Sequence, residues 1–160
     1  MHITHIAVVD ATRARLFLHE RAAEPDGLHD RLYEVTDFVN PARHQTAQQL
    51  FSDRPGSRHA GASQYGLDDH RAAHVAHFDD EFASLVVAEL HRVMQATSSP
   101  RLVVCASPHM LGVLRKHMTV LHRDVATIDE LPRDFTQLAV GDVHDQLCAH
   151  KILPPRPTAN

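Results

Sequence analysis

Arg101-Leu102-Val103-Val104-Cys105-Ala106 sets five apolar residues behind one arginine, and Ser107-Pro108 follows at once. A short apolar run without alternation suits a central parallel strand buried on both faces. Ser107 reads as an N-cap and Pro108 as the first helical residue, where the missing N–H costs nothing. The helix then runs to about Met118, with Met110, Leu114 and Met118 on one face. A strand that turns directly into a helix implies crossover units and a sheet covered on both sides.

Working outward, residues 70–96 form the longest helix, with Val75, Phe78, Phe82, Leu85, Val86, Leu90 and Val93 as its apolar stripe. Residues 124–130 give a further strand. Asp134 starts a last helix, with Gln137 completing a capping box and Leu138, Val143 and Leu147 facing inward. Toward the N-terminus, residues 3–9, 13–20 and 31–39 read as three strands. Asp10-Ala11-Thr12 makes the first hairpin, Pro25-Asp26-Gly27 marks a turn within 21–30, and Asn40-Pro41 ends the third strand. Residues 42–51 read as a short helix and 52–69 as an 18-residue loop, a length associated with function or disorder. Three meandering strands and two right-handed crossovers give an α/β fold: a mixed five-stranded sheet of order 3-2-1-4-5, ribonuclease H-like, with helices on both faces. We read residues 1–150 as one α/β domain and 151–160 as a Pro-rich tail expected to fray.

The chain has 160 residues and a net charge of −4 with histidine neutral. Arginine outnumbers lysine 14 to 2, and there are 15 histidines. If every histidine had the reference pKa of about 6.5, the net charge would reach about +3 or +4 near that pH. No apolar run is long enough for a transmembrane helix, and no secretory leader is visible. Two cysteines, Cys105 and Cys148, exclude a disulfide scaffold and point to a reducing, cytoplasmic setting. No phosphate-loop, dinucleotide or Gly-x-Ser-x-Gly motif occurs, and no cofactor is called for.

Several blocks resemble one bacterial family. Ala7-Val8-Val9-Asp10-Ala11-Thr12-Arg13-Ala14-Arg15-Leu16-Phe17 looks like the first hairpin of the "protein required for attachment to host cells" family. Phe38-Val39-Asn40-Pro41, Leu50-Phe51-Ser52-Asp53-Arg54-Pro55-Gly56, Phe82-Ala83 with Leu90, Leu102 to Pro108, Leu111-Gly112-Val113-Leu114-Arg115 and Asp134-Phe135-Thr136 follow in the family's order. The family pattern has Gly-Arg after the proline, whereas here Ser57 separates Gly56 from Arg58. The family is more distantly similar to the middle domain of archaeal and eukaryotic peptide-chain release factors. That domain carries a Gly-Gly-Gln loop where this chain has 52–69. Here the loop has Gly61-Ala62-Ser63-Gln64 and no Gly-Gly-Gln, so the resemblance implies an RNA or ribosome partner but not peptidyl-tRNA hydrolysis.

Four constellations are candidates for chemistry. Asp10 ends the first strand, where a ribonuclease H-like nuclease places a metal-binding carboxylate; it equally suits a turn cap. Arg13 and Arg15 share one strand face. With Asp53, Arg54, Gly56 and Arg58 of the loop they could build an anion site, to which Ser107 at a helix N-terminus and Arg115 would add. His70, His74 and His77, with Glu81, form one helical stripe that could ligate a metal or simply be a polar face. Neither cysteine has the partners of a nucleophile. The expected function is therefore a non-catalytic domain engaging RNA or the translation machinery. The alternatives are an enzyme-like domain for a small anionic ligand, or an interaction module acting indirectly in attachment. The oligomeric state is not readable from the sequence.

Overall fold

The structure, a computed structural model, describes residues 1–43 and 64–158, with side chains from residue 70 onward in the second stretch. Strands β1 (His2–Val9), β2 (Arg13–Glu24) and β3 (Gly27–Val39) are followed by helix α1 (Gln64–Ala96) and β4 (Arg101–Ala106). Helix α2 (Pro108–Arg115), a 3-10 segment (Met118–Arg123), β5 (Thr127–Leu131) and helix α3 (Val140–Ala149) complete the chain. The sheet order is β3-β2-β1-β4-β5. β1, β2 and β3 pair antiparallel, while β4 lies parallel to both β1 and β5. This is the mixed order expected from handedness, and it is consistent with a ribonuclease H-like arrangement.

Alternation on the central strands sorts the core into two halves. Ala7, Val9, Leu16, Leu102 and Val104 face α1 and α2. Ile6, Val8, Phe17, Val103 and Cys105 face α3, with Val143, Leu147 and Leu153 packed on them. Every residue from Leu102 to Ala106 is fully buried. Burying each Val or Leu there contributes about 1.5–3 kcal/mol, and no side chain in the run carries a strong hydrogen-bonding group. Burial also pushes the Cys105 thiol up to about 12, so it stays protonated and inert.

The structure corrects several expectations. Strands β2 and β3 run past their expected ends at 20 and 31 to a two-residue turn at Pro25-Asp26, where a turn was expected, closed by Gly27 at φ 145°, a conformation glycine adopts readily. Residues 64–69, expected in the loop, are helical. Val75 and Leu85 lie on the exposed side of α1 rather than in its stripe. Helix α2 stops at Arg115, and the chain continues as 3-10 turns that bury Met118 and Leu121. The last helix starts at Val140, because the Asp134 carboxylate accepts from the Thr136 amide at 2.9 Å and closes a local turn. The Thr136 and Leu138 carbonyls, which a helix would consume, are taken by Arg15 at 3.2 and 2.5 Å.

The tail is docked rather than frayed. Leu153 is buried, Arg21 Nη1 donates to the Pro155 carbonyl at 3.1 Å, and Arg156 Nη2 donates to the Gly141 carbonyl at 2.8 Å. The expected short helix 42–51 lies outside the described residues from 44 on.

Candidate functional site

Parallel strands β1, β4 and β5 end on one side of the sheet, where ligands collect in open α/β folds. Asp10 follows β1 there. Its Oδ1 accepts the Thr12 amide at 2.7 Å, the Thr12 hydroxyl at 2.8 Å and the Arg13 amide at 2.7 Å. Its Oδ2 accepts the Thr136 hydroxyl at 2.9 Å. Desolvation raises this carboxyl, but the hydrogen bonds outweigh it and hold it below the ordinary Asp range. The Thr136 hydroxyl also lies 2.6 Å from Asp134 Oδ1, so two carboxylates converge on a single proton. β4 contributes no carboxylate between them. Asp10 therefore occupies the position expected of it and works there as a turn cap that also ties β1 to the segment after β5.

Arg13 and Arg15 do share a face of β2. Arg13 grips Asp37 through Nε at 2.8 Å and Nη2 at 2.5 Å. That contact holds the Asp37 carboxyl below its usual range against the opposing effect of desolvation. Arg15 grips Glu34 at 3.0 and 2.8 Å and is buried. Both guanidiniums reach the Thr136 carbonyl, at 3.4 and 3.2 Å. Asp53, Arg54, Gly56 and Arg58 lie outside the described residues. Ser107 caps α2, its hydroxyl accepting the Met110 amide at 3.2 Å. Arg115 pairs bidentately with Glu130, Nε donating to Oε1 at 3.0 Å and Nη2 to Oε2 at 2.5 Å. Each described member of the expected anion site thus has a protein partner.

On the opposite face, Asp79 of α1 is buried and is met by a guanidinium and an imidazole at the same level. Arg43 Nη2 lies 3.1 Å from its Oδ1 and His109 Nε2 lies 3.1 Å from its Oδ2. Asp80 beside it meets His117 at 3.0 Å, and that hydrogen bond depresses its carboxyl. Because His109 lies in the first turn of α2 at the strand carboxyl ends, Asp79 marks where α1 leaves the body. The fifteen residues from Gln64 to Phe78 extend about 22 Å beyond that level. Residues 70–77 are correspondingly exposed on every side. This arm carries His70, Arg71, His74 and His77. His77 pairs with Glu81 at 3.2 Å, and His74 and His77 lie against the Phe78 ring. The stripe does not gather three ligand atoms around one point; among the described residues that happens only elsewhere.

That other place joins His19, Asp30 and His144. Asp30 Oδ1 stands 3.0 Å from His19 Nε2 and 3.1 Å from His144 Nε2, and Asp30 Oδ2 accepts Arg21 Nη1 at 2.9 Å. Burial, and then the nearby Arg156 charge, push the His144 imidazole below its ordinary value. No local motif links positions 19, 30 and 144. A tight turn at Pro25-Asp26 was the available signal, since Glu24 opposite Gly27 sets Arg21 opposite Asp30.

Fold and site together define a mixed α/β domain whose described strand-end polar groups cross-link its own loops, with a polar helical arm rising from the same end. A family model described as "Protein required for attachment to host cells" matches residues 5–147. The chain belongs to that family, whose description associates it with attachment to host cells. No curated protein matches the chain. No helix among the described residues is long and apolar enough to cross a membrane.

Proposed function

We propose that this protein is a cytoplasmic, non-catalytic binding domain whose partner is single-stranded RNA of the kind the translation machinery presents. The supporting observation is the α1 arm. His70, Arg71 and His74 are exposed on a helix projecting past the strand ends, and none has a carboxylate partner among the described residues. Arg133, just after β5, adds an exposed guanidinium at the same end of the sheet. An exposed guanidinium or imidazole with no carboxylate partner among the described residues is what phosphate contacts need. Arg13, Arg15 and Arg115, by contrast, are engaged with Asp37, Glu34 and Glu130. Carboxylates committed to hydrogen bonds at Asp10, and a fourth strand without one, argue for binding over metal-dependent hydrolysis. The resemblance to release-factor middle domains supports the same choice of partner, while the missing Gly-Gly-Gln leaves hydrolysis out of the proposal.

Fluorescence anisotropy with a labelled single-stranded RNA tests this. Affinity should fall steeply between about 50 and 200 mM salt. The double variant Arg71→Glu, His74→Glu should bind about tenfold or more weakly. Arg92→Glu, on the packed half of α1 where Arg92 pairs with Glu89 at 2.6 Å, should bind as wild type does. No binding at low salt, or equal affinities for wild type and the arm variant, would overturn the reading.

A further inference from the structure

We propose that His19 Nε2, Asp30 Oδ1 and His144 Nε2 form a seat for one divalent transition-metal cation of the zinc class, tying β2, β3 and α3 together. The three side chains are 3, 0 and 5% exposed. Their ligand atoms all lie within 4.8 Å of one another. Tetrahedral bonds of about 2.0–2.1 Å place neighbouring ligand atoms about 3.3 Å apart. The observed 3.0 and 3.1 Å separations are within a few tenths of an ångström of that spacing.

Hydrogen bonding alone does not account for the cluster. The His19 contact to Asp30 Oδ1 has hydrogen-bond geometry, but His144 Nε2 is buried, sits 3.1 Å from the same oxygen and has no hydrogen-bond partner. Buried ring nitrogens are normally satisfied, and one aimed at a shared carboxylate oxygen is placed to give its lone pair to a cation. The two imidazoles meet edge to face, with centroids 5.3 Å apart and planes at 70°. Their nitrogens thus converge from different directions, as a tetrahedral ion requires. Arg21 on Asp30 Oδ2 supplies the outer contact that orients a ligating carboxylate. Two imidazoles and one carboxylate suit zinc, cobalt, nickel or copper; magnesium and calcium prefer all-oxygen shells. The burial matches a structural cross-link rather than an open catalytic site.

Tag-free protein, stripped with chelator and dialysed, is titrated with Co2+ and with Zn2+. We expect one ion per chain, a visible Co2+ spectrum of low-coordinate type displaced by Zn2+ and not by excess Mg2+, and a higher Tm for the loaded protein. His144→Gln and, separately, Asp30→Asn should each weaken binding at least about 100-fold, beyond the loss typical of an outer contact. The chain with His70, His74 and His77 changed to alanine should bind Co2+ as wild type does. Wild-type protein showing no stoichiometric Co2+ or Zn2+ uptake at micromolar concentrations overturns the proposal without reference to any variant. Uptake that survives in a folded His144→Gln protein, or that vanishes in the triple alanine chain, overturns it too. These readouts do not depend on RNA, so failure here leaves the RNA reading standing, and the reverse.

Discussion

Arg13 and Arg15 stand two residues apart on one face of one strand, yet the structure gives them unequal work. The Arg13–Asp37 pair is open to water, with side chains 32 and 41% exposed. Arg15 is 6% exposed and feeds Glu34 and two backbone carbonyls at once. Exposed pairs gain little because water screens them and both side chains lose freedom. Removing Arg15 instead strands a half-buried carboxylate and the Thr136 and Leu138 carbonyls. Urea denaturation at pH 7 should show Arg15→Met costing about 3 kcal/mol and Arg13→Met less than about 1 kcal/mol. Equal losses would mean that the segment 135–138 is not held by Arg15. The sequence placed both guanidiniums on one face, because strand alternation is a local rule. Which carboxylate answered each of them depended on the β2–β3 register, which shifts between Leu16 and Phe17.

Between elements, His5 joins the central strand β1 to the residue just after α1. Its Nε2–H donates to the Thr97 carbonyl at 2.8 Å, which leaves Nδ1 bare, buried and without a partner. A second proton would have to sit at this buried, unpartnered Nδ1. Burial accordingly lowers the His5 pKa, against a smaller opposing effect of the Thr97 bond. The folded chain then holds fewer protons than the unfolded chain below the reference value of about 6.5. Stability from this group is complete above that pH and is lost as pH falls through it, by at most about 1.4 kcal/mol per pH unit. His5→Gln can keep the donor to Thr97 and cannot titrate. Its urea midpoint should therefore fall less between pH 7.5 and 5.5 than that of wild type. An identical fall in both proteins would show that folding leaves the His5 pKa unchanged. Nothing in the pattern of β1 separates this histidine from the other fourteen, since its partner lies ninety-two residues away.

At the scale of the molecule, the C-terminal segment closes the face of the sheet that α3 covers. Leu153 fills the core between Val143, Leu147 and the strands, Cys148 Sγ donates to the Pro154 carbonyl, and Arg101 Nη1 donates to the Ile152 carbonyl at 2.8 Å. Prolines supply no N–H for a helix, and on sequence alone that implies a free tail. Their carbonyls are nevertheless good acceptors, and Arg21 and Cys148 use them. Deleting residues 153–160 should lower stability by about 2–4 kcal/mol, mostly from the lost leucine, and should be visible as a reduced Tm. An unchanged melting curve would show that the segment contributes nothing.

Local rules were enough for much of this protein. Apolar runs, alternation, an N-cap followed by proline and the handedness of crossovers defined five strands, their order and the helices on both faces. They also placed Asp10 at a strand end and Ser107 at a helix start. What only tertiary structure decided were the pairings of charged and polar groups. The Asp134 turn displaced the last helix because Arg15 claimed the carbonyls a helix would use. The strand-end arginines were absorbed by carboxylates on the neighbouring strand. Three ligand atoms from β2, β3 and α3 met in a buried seat. Each of these outcomes rests on directional contacts between residues far apart in the chain, and such contacts leave no period or spacing in the sequence.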